Sequence, residues 1–465
     1  DSGWLSQALE EAGFRVQRPY ADLETAFRAE HPANRPGPTV ALLAEYDALP
    51  ELGHACGHNL IAAIAVGAAL GLAPFKDQLP GRLVVLGTPA EEGGAGKILL
   101  IRAGAFKDID LAMMVHPGSH TLVRRGSLAI TEVKLEFHGK SALLIPPQQG
   151  LTVAEVRLEF HGKPAHASAT PEQGINALDA VIQTFNAVNS LRPHLEAETF
   201  IHGVITHGGV KPNIVPEHAA AVFYVGARDT ESRQNLVEKL ENCARGAALA
   251  TGARLSFHTE REFPATELPP EPGTPPEQGI NALDAVVQTF NALNALRQHI
   301  RDGARIHGII THGGVKPNLV PEYAAANFYV RAAENDYRDE LVEKLKNCAQ
   351  GAALATGAKL AFQKAGHEYK AMNPNHQLAE TFRRHIEELG FPVEEPSGGM
   401  GSTDMGDVSW EVPAIHPYIR ITEAEIPGHS HEFAQAAKGE LAKRALVAAA
   451  KALAGVCLDV WTDPE

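Results

Sequence analysis

A long internal repeat limits the architectures open to this chain of 465 residues. Residues 172–257 begin EQGINALDAVIQTFNA and contain THGGVKPNIVPE, and residues 277–362 begin EQGINALDAVVQTFNA and contain THGGVKPNLVPE. Roughly 60 of these 86 paired positions are identical at a constant offset of 105, which indicates a recent duplication. A shorter repeat precedes them, since EVKLEFHGKSA (132–142) recurs as EVRLEFHGKPA (155–165). The chain therefore carries two copies of one folding unit.

Each long copy has the pattern of a small α+β sandwich. An amphipathic helix is followed by a strand, a turn at Lys-Pro-Asn, a second strand, a second helix and a third strand. The apolar period changes from 3.6 to 2 and back, which predicts helices on one face of an antiparallel sheet. A Pro-rich linker, FPATELPPEPGTPPEQG, separates the copies.

Outside the repeats the chain alternates between strand and helix patterns. TVALLAEYDAL, GRLVVLGTP and DLAMMVHP read as strands, with apolar helices between them. This alternation predicts a mostly parallel sheet in an α/β catalytic domain, with the sandwich inserted into it. The predicted domains are 1–125 (catalytic, first part), 126–275 (first copy with the duplicated first strand), 276–365 (second copy) and 366–465 (catalytic, second part).

Composition excludes several classes of protein. The formal net charge of −15 and a pI near 5.8 argue against nucleic-acid and anionic-membrane partners. Four cysteines in this length do not make a disulfide scaffold. No signal-peptide pattern opens the sequence, and the apolar runs at 60–75 and 445–460 read as buried helices. We therefore expect a cytoplasmic protein.

Four segments outside the repeats concentrate metal-binding side chains. They are EYDALPELGHACGHN (45–59), GTPAEEGGAGK (87–97), MMVHPGSH (113–120) and PGHSHEF (427–433). Three of them follow predicted strands, where open α/β sheets form their ligand crevice. Cys56 and His58 can reach one centre from an irregular turn, and thiolate, imidazole and carboxylate together suit zinc or a similar ion. A lone histidine is more often a hydrogen-bonded core or surface residue, but four such clusters favour a metal site.

The adjacent acids Glu91 and Glu92 fit the two roles that a metal hydrolase requires. One can coordinate an ion while the other accepts a proton from water. The alternative is an exposed acidic pair at a helix N-terminus, where the helix dipole favours it. The motif by itself leaves both interpretations open.

Taken together, these segments resemble the di-metal peptidases and amidohydrolases of metallopeptidase family twenty. GHACGHN, GTPAEEGGAGK, GGVKPNIVP and GSTDMGDVSWEVP resemble the branch that contains aminobenzoyl-glutamate hydrolases and Xaa-Arg dipeptidases. When the duplicated segments are left out of the comparison, the resemblance covers nearly the whole chain. It implies metal-dependent hydrolysis of an amide bond in a dipeptide or an N-acyl amino acid.

The resemblance also implies roles for individual residues. Glu91 matches the general base, and Asp47 in EYDALP matches a carboxylate that orients a ligand. His431 is the nearby alternative to His429 in GHSHEF. The implied metal ligands are Cys56, His58, Glu92, His116 and His429. They would hold two Zn²⁺ ions per chain, with Mn²⁺ as the alternative.

Substrate-binding residues are implied in the same way. In the loop GSTDMGDVS the candidates are Ser402, Thr403 and Asp404, although Asp404 fits an ordinary turn or cap equally well. The family's inserted domain is a lid that pairs with the lid of a second subunit. His166 in GKPAHASA matches its oxyanion-stabilising histidine. The matching substrate contacts in the lid are Asn213, its duplicate Asn318, and Arg331, at whose position the first copy has Gly226.

Three questions stay open from the sequence. The chain is expected either to form a homodimer through the lid or to pair its two lids within one chain. The runner-up substrate is an aminobenzoyl-glutamate-type amide. A non-catalytic scaffold, decayed after duplication, is the alternative from a different class, and the intact metal motifs argue against it.

Overall fold

The structure is a computed structural model that describes residues 2–31, 35–75, 77–144, 150–168, 170–267, 275–395 and 400–462. Within it the chain forms two compact units. The first comprises Asp1–Ala129 and Tyr369–Glu465, and the second comprises Ile130–Glu368.

The first segment of the first unit alternates helices with short buried strands. Its elements are α1 (Ser2–Glu11), β1 (Arg15–Gln17), β2 (Phe27–His31), β3 (Thr39–Glu45), α2 (His58–Leu72), β4 (Arg82–Thr88), α3 (Gly96–Arg102), β5 (Leu111–Met113) and β6 (His116–Gly118). All seven side chains of β3 are buried, as expected for a parallel strand that is covered on both faces.

The second unit contains the repeats. Its elements are β7 (Ala129–His138), β8 (Thr152–His161), α4 (Ala177–Leu191), β9 (Phe200–His207), β10 (His218–Ala227), α5 (Thr230–Thr251), β11 (Arg254–Pro264), α6 (Ala282–Leu296), β12 (Arg305–His312), β13 (Tyr323–Ala332), α7 (Asn335–Thr356) and β14 (Lys359–Tyr369). Matching residues begin and end the matching helices. Asn176 and Asn281 cap α4 and α6 with their side chains, and Gly252 and Gly357 end α5 and α7 in the left-handed region.

These elements form two modules of the same build. The first module has the sheet order β11-β8-β10-β9 with α4 and α5 packed on it, and the second has β12-β13-β7-β14 with α6 and α7. The two modules share one continuous cluster of buried apolar side chains, which includes Phe160, Phe185, Phe223, Phe290 and Phe328.

The position of β7 corrects a sequence-based boundary. The prediction assigned 126–275, including the duplicated first strand, to the first copy. In the structure β7 lies between β13 and β14 in the second module, whereas its duplicate β8 lies in the first. The LEFHGK strands are almost identical and fit either sheet equally well, so chain connectivity decides which sheet each one joins.

The return segment completes the first unit. Its elements are α8 (His376–Glu388), α9 (Met405–Glu411), β15 (Ala414–Ile415), β16 (Tyr418–Arg420), α10 (His431–Ala436) and α11 (Glu440–Thr462). The main sheet has the order β1-β2-β4-β3-β5-β15. Its strands β4, β3, β5 and β15 are parallel, and β2 and β1 are antiparallel to their neighbours. The predicted fold class, a mostly parallel α/β domain with an inserted α+β sandwich, is confirmed.

Two helices of the described chain are long and apolar enough to span a membrane by length and composition, namely His58–Phe75 and Glu440–Thr462. Both pack within the first unit, where α2 and α11 contact each other and supply much of its apolar core. Burial in the core accounts for their composition, as the sequence analysis predicted.

Candidate metal centre

Loops at the carboxyl ends of three parallel strands converge on one site in the first unit. Glu45 ends β3, Glu91 follows β4, and His116 follows β5. The amino end of α2 supplies His58, and His429 comes from the loop before α10. The carboxyl ends of neighbouring parallel strands lie at one sheet edge, so residues distant in sequence meet there.

The turn that carries Cys56 and His58 depends on the glycine between them. Gly57 has φ +80°, in the left-handed region that favours glycine, and it precedes the first residue of α2. A Cβ at this position would lie 2.4 Å from Pro117 Cγ. This close approach places Cys56 Sγ 3.6 Å from His116 Nε2.

Asp47 holds two parts of the site in place. One of its oxygens lies 3.1 Å from His58 Nδ1, and the other accepts a hydrogen bond of 3.0 Å from the backbone N–H of Glu92. Burial raises the pKa of Asp47, but the hydrogen bond and charge of His58 outweigh it and lower that pKa to about 2. The carboxylate is therefore ionised and directs His58 Nε2 towards the other ligands.

His116 is oriented in a similar way. Its Nδ1 lies 2.7 Å from the carbonyl oxygen of Pro117, which leaves Nε2 directed at Cys56. Its ring stacks on Tyr418 at 4.8 Å between centroids, and His416 lies 5.5 Å away. His416 is buried and its Nε2 has no hydrogen-bond partner. The sequence analysis missed His416, because the strand AIHPYIRI carries no ligand motif.

The donor atoms form overlapping groups that fit a metal ion. In each group the candidate atoms lie within 4.8 Å of one another, and the groups are Cys56–His58–His116, Cys56–Glu92–His429 and Glu45–His58–Glu91. Glu92 Oε1 is 3.0 Å from His429 Nε2 and 4.0 Å from His58 Nε2. Neither His58 Nε2 nor Glu92 Oε1 makes a well-formed hydrogen bond, although both are buried. Carboxylate, imidazole and thiol donors this close together match the ligand set of zinc and related ions.

The protonation states support the same interpretation. Burial would raise the pKa of the Cys56 thiol, but the charge of His116 and the surrounding histidine hydrogen bonds hold it well below its usual range. A thiolate is the form of cysteine that binds metal. Contacts with Cys56 and then Glu92 raise the pKa of His429 to about 10. Ion binding at this site therefore competes with a proton on His429.

Glu91 lies in an environment suited to proton transfer. Burial, together with the charges of Glu45 and Asp404, raises its pKa well above the usual range, and Lys97 opposes them. Its backbone carbonyl accepts a 3.1 Å hydrogen bond from Tyr369. A buried glutamate whose pKa is raised can accept a proton and release it again.

A buried ion triad lies beneath Glu91, and the sequence analysis did not identify it. Lys97 is fully buried, and its ammonium group contacts Glu45 and lies 2.7 Å from Asp404 Oδ1. The backbone N–H of Lys97 also donates to Asp404 Oδ2 at 3.0 Å. The sequence signal that could have revealed the triad is a lysine in an apolar segment (GAGKILL) near acids at strand ends. A lysine buried in such a segment needs acidic partners that are buried with it.

Asp404 was predicted as a candidate for the substrate pocket, but in the structure it belongs to this triad. Its side chain is fully buried and both oxygens are engaged by Lys97. Its neighbour Thr403 is also buried and accepts a hydrogen bond from the backbone N–H of Met405 at the start of α9. Of the three loop candidates, only Ser402 is partly exposed.

The remaining candidates lie in the second unit. His166 is exposed, and Asn213 is partly buried with an unpartnered Oδ1. Asn318 is 1% exposed and neither atom of its amide has a hydrogen-bond partner. Arg331 is buried on β13, where burial lowers its pKa to about 10. The alternative ligand His431 is the first residue of α10 and is exposed.

Comparisons with known proteins identify a family to which the chain is similar. A model of peptidase family M20/M25/M40 matches residues 41–457. The chain is 31% identical to the Xaa-Arg dipeptidase of Mus musculus over 97% of this chain and 78% of that protein, and 30% identical to the Homo sapiens protein over 98% and 78%. It is 26% identical to a p-aminobenzoyl-glutamate hydrolase subunit of Escherichia coli, over 99% of this chain and 84% of that protein.

A solved structure supports the fold. The aminoacylhistidine dipeptidase of Vibrio alginolyticus superposes with a TM-score of 0.56 at 15% identity, covering 98% of this chain and 91% of that one.

Proposed function

The chain belongs to peptidase family M20/M25/M40, and from this premise we propose that it hydrolyses the amide bond of a dipeptide or an N-acyl amino acid with the help of a bound metal. The observation that carries the proposal is the convergence of thiol, imidazole and carboxylate donors beside Glu91. Family membership supports the reaction class, and the site supplies the residues for it.

The proposed metal ligands are Cys56, His58, Glu92, His116 and His429. Their donor set favours Zn²⁺, two ions per chain, with Mn²⁺ as the alternative. When bound, such an ion lowers the pKa of coordinated water towards about 7 and polarises the substrate carbonyl. Elemental analysis of the purified protein tests this part, because two equivalents of zinc or manganese are expected.

Glu91 is the proposed general base and acid. It accepts the proton of the attacking water and then delivers that proton to the departing amine nitrogen, which makes the amine a stable leaving group. Lys97 contacts Glu45 and Asp404, and this triad holds the segment after β4 in position. Asp47 keeps His58 in one orientation throughout.

Replacement of Glu91 by Gln tests the assignment. We expect turnover to fall by at least about a hundredfold, because general acid–base catalysis contributes on the order of 10²–10⁴. Metal content should remain at the wild-type level, since Glu92 and not Glu91 is the proposed ligand. Glu388→Gln, on the exposed end of α8, is the matched control. Retained hydrolysis in Glu91→Gln protein would refute the role of Glu91.

For the substrate, we propose an Xaa-Arg or Xaa-Lys dipeptide. Two Xaa-Arg dipeptidases are 30–31% identical to this chain over almost its full length, which supports this choice. The second candidate is a p-aminobenzoyl-glutamate-type amide, supported by the 26% identical hydrolase subunit. A library of dipeptides and N-acyl amino acids, screened with zinc or manganese, distinguishes a cationic from an acidic C-terminal residue.

Several residue roles are proposed from the family resemblance. His166 would donate a hydrogen bond to the developing oxyanion. The amide groups of two asparagines and the guanidinium group of one arginine would contact the substrate. A bidentate Arg fork suits the substrate's carboxylate. These residues are Asn213, Asn318 and Arg331, with Ser402 as the exposed loop candidate. Each role is tested by alanine substitution, with kcat and KM measured separately.

We also propose a cytoplasmic location. The four cysteines are free in the described residues, which agrees with a reducing compartment. Cell fractionation with an antibody against the chain tests this proposal.

A further inference from the structure

A row of three histidines crosses the sheet of the first module. His161 ends β8, His218 begins β10 and His207 ends β9, and these strands are neighbours in the order β8-β10-β9. The ring centroids of His161 and His218 are 5.3 Å apart, and those of His218 and His207 are 5.0 Å apart. The imidazole of His218 therefore lies between the other two.

Glu159 adds a carboxylate to this row. It precedes His161 by two residues on β8, so the two side chains project from the same face of the sheet. Its Oε2 lies 3.4 Å from His218 Nε2 and 4.0 Å from His161 Nε2, and its Oε1 lies 3.8 Å from Arg157 Nη1. One carboxylate oxygen thus faces two imidazoles while the other faces a guanidinium group.

These side chains occupy the face of the sheet that the helices do not cover. Leu158 and Phe160 alternate with them along β8 and are buried in the apolar core on which α4 and α5 pack. Glu159 is partly exposed, and the exposed fractions of the His161 and His218 side chains are 34% and 37%. Ions from solvent can therefore reach the cluster.

A shift of register brings His207 to the same face. The strands β9 and β10 pair regularly as far as Ile205, but the next partner of β10 on β9 is His207, so Thr206 is an extra residue. Ala220, which pairs with His207, lies on the same face of β10 as His218. Cross-strand partners project from one face, so the extra residue places His207 beside His218. In an unbroken register His207 would point towards the helices.

Three imidazoles and one carboxylate are a donor set that suits zinc and similar transition ions, and four is the usual number of ligands at a zinc site. We propose that His161, His207, His218 and Glu159, named here the histidine site, bind one divalent transition ion, with Zn²⁺ as the first choice. The ion would join the ends of three neighbouring strands. This site uses none of the ligands in the first unit and does not depend on the proposed hydrolysis.

Ion binding at the histidine site requires rotation of its side chains. Within the described residues its four donors do not all lie within 4.8 Å of one another, in contrast to the donor groups of the first unit. Neighbouring strands are about 4.8 Å apart, and a histidine side chain spans this distance by changing its χ1 and χ2 angles. The partial exposure of these side chains leaves space for such a change.

The environment of His207 favours the form of imidazole that binds metal. Burial lowers its pKa, and the charge of His218 lowers it further. A neutral imidazole offers a lone pair to an ion. Protonated imidazoles this close repel each other, whereas neutral ones can share one ion.

The second module repeats the cluster with one substitution. His138, His312 and Glu136 occupy the equivalent positions, but Tyr323 replaces His218. The Tyr323 ring lies 5.4 Å from that of His138 and 5.1 Å from that of His312, and its hydroxyl is 3.3 Å from Glu136 Oε1. Burial and the charge of Glu136 raise the pKa of Tyr323, so its phenol stays protonated. We therefore expect the first module, and not the second, to bind the ion.

Zinc content at a fixed free zinc concentration tests the histidine site. Full-length wild-type protein and its variants are dialysed against the same low-micromolar free zinc, and the bound zinc is measured by elemental analysis. His218→Tyr protein, which copies the second module, should hold about one equivalent less than the wild type. Because the readout is a difference between proteins, it depends neither on activity nor on the number of ions in the first unit.

Matched variants in the two modules separate this site from general binding of zinc by surface histidines. His207→Gln protein should also lose about one equivalent, whereas His312→Gln protein, altered at the equivalent position of the second module, should lose none. Tyr323→His protein should gain about one equivalent, because it completes a second set of donors. Such a gain cannot result from a loss of folding.

Three results would overturn the histidine site. The first is a wild-type zinc content in His218→Tyr or His207→Gln protein. The second is an equal loss of zinc in His207→Gln and His312→Gln protein, which would mean that the modules do not differ. The third is an unchanged zinc content in Tyr323→His protein, which would show that a third imidazole does not complete such a site.

Discussion

At the scale of single residues, the metal centre depends on side chains outside the proposed ligand set. Asp47 bridges His58 and the backbone of Glu92, and Lys97 joins Glu45 to Asp404. Lys97, Glu45 and Asp404 are buried and Asp47 is partly buried, so each ion pair must offset the cost of removing its charges from water. The site is therefore sensitive to the loss of either partner.

Replacement of Lys97 by Met would leave two carboxylates in the core without a cation. We expect the free energy of unfolding to fall by about 3–5 kcal/mol, the usual effect of breaking a buried pair. Denaturant titration measures it, with Lys451→Met on the exposed face of α11 as the control.

The double variant Lys97→Met/Asp404→Asn should recover part of this loss, because it removes one of the unpaired charges. A Lys97→Met protein as stable as the wild type would contradict the buried triad.

At the scale of structural elements, the amino end of α2 sets the geometry of the ligands. Gly57 combines a left-handed backbone with contact against Pro117, so both its φ angle and its missing side chain matter. Positive φ also occurs at His429, a non-glycine residue in the same site. Backbone conformations of this kind cost free energy and persist where the surroundings enforce them.

Replacement of Gly57 by Ala should weaken metal binding. The methyl group adds a clash with Pro117 to a left-handed strain of about 1–2 kcal/mol, and relief of the clash moves Cys56 away from His116. Competition with a chromogenic chelator measures the affinity.

Gly53→Ala is the matched control for this substitution. Gly53 also has positive φ (+67°), but a Cβ there meets no atom within 4 Å. It therefore adds strain without the clash. Equal losses of metal affinity in both variants would show that contact with Pro117 is not the cause.

At the scale of the whole molecule, the two modules of the second unit are joined to each other. Reciprocal hydrogen bonds at β9 and β12 and between α4 and α6 join two modules that share one apolar core. Since this core extends across both modules, we expect them to unfold together and not as independent units.

The stability of the second unit should fall in acid. Burial lowers the pKa of His202 and of His307 to about 3, whereas an unfolded histidine titrates near 6.5. Between these values the unfolded chain binds more protons than the folded one, so the free energy of unfolding decreases as pH falls from about 6.5 towards 3.

The substitution His307→Gln should reduce this dependence on pH, because it removes one of the buried histidines whose pKa is lowered in the folded chain. Urea titrations at several pH values measure the slope, and His376→Gln, an exposed residue at the start of α8, is the control. An unchanged slope in His307→Gln protein would argue against a neutral buried histidine.

The sequence by itself determined the repeat, the α/β alternation and the strand-end segments that carry Cys56, Glu91 and His116. These features are local: periodicity follows from the side chains of one element, and a strand end is marked by the residues that follow it. Tertiary structure decided what depends on contacts between distant segments. It assigned β7 to the second module, placed Asp404 against Lys97, and joined β9 to β12. The sequence of a near-identical strand or of a lone charged residue does not indicate which partner it contacts. Several partners are possible, and packing, chain connectivity and the cost of burying charge select one of them only when the whole chain is folded.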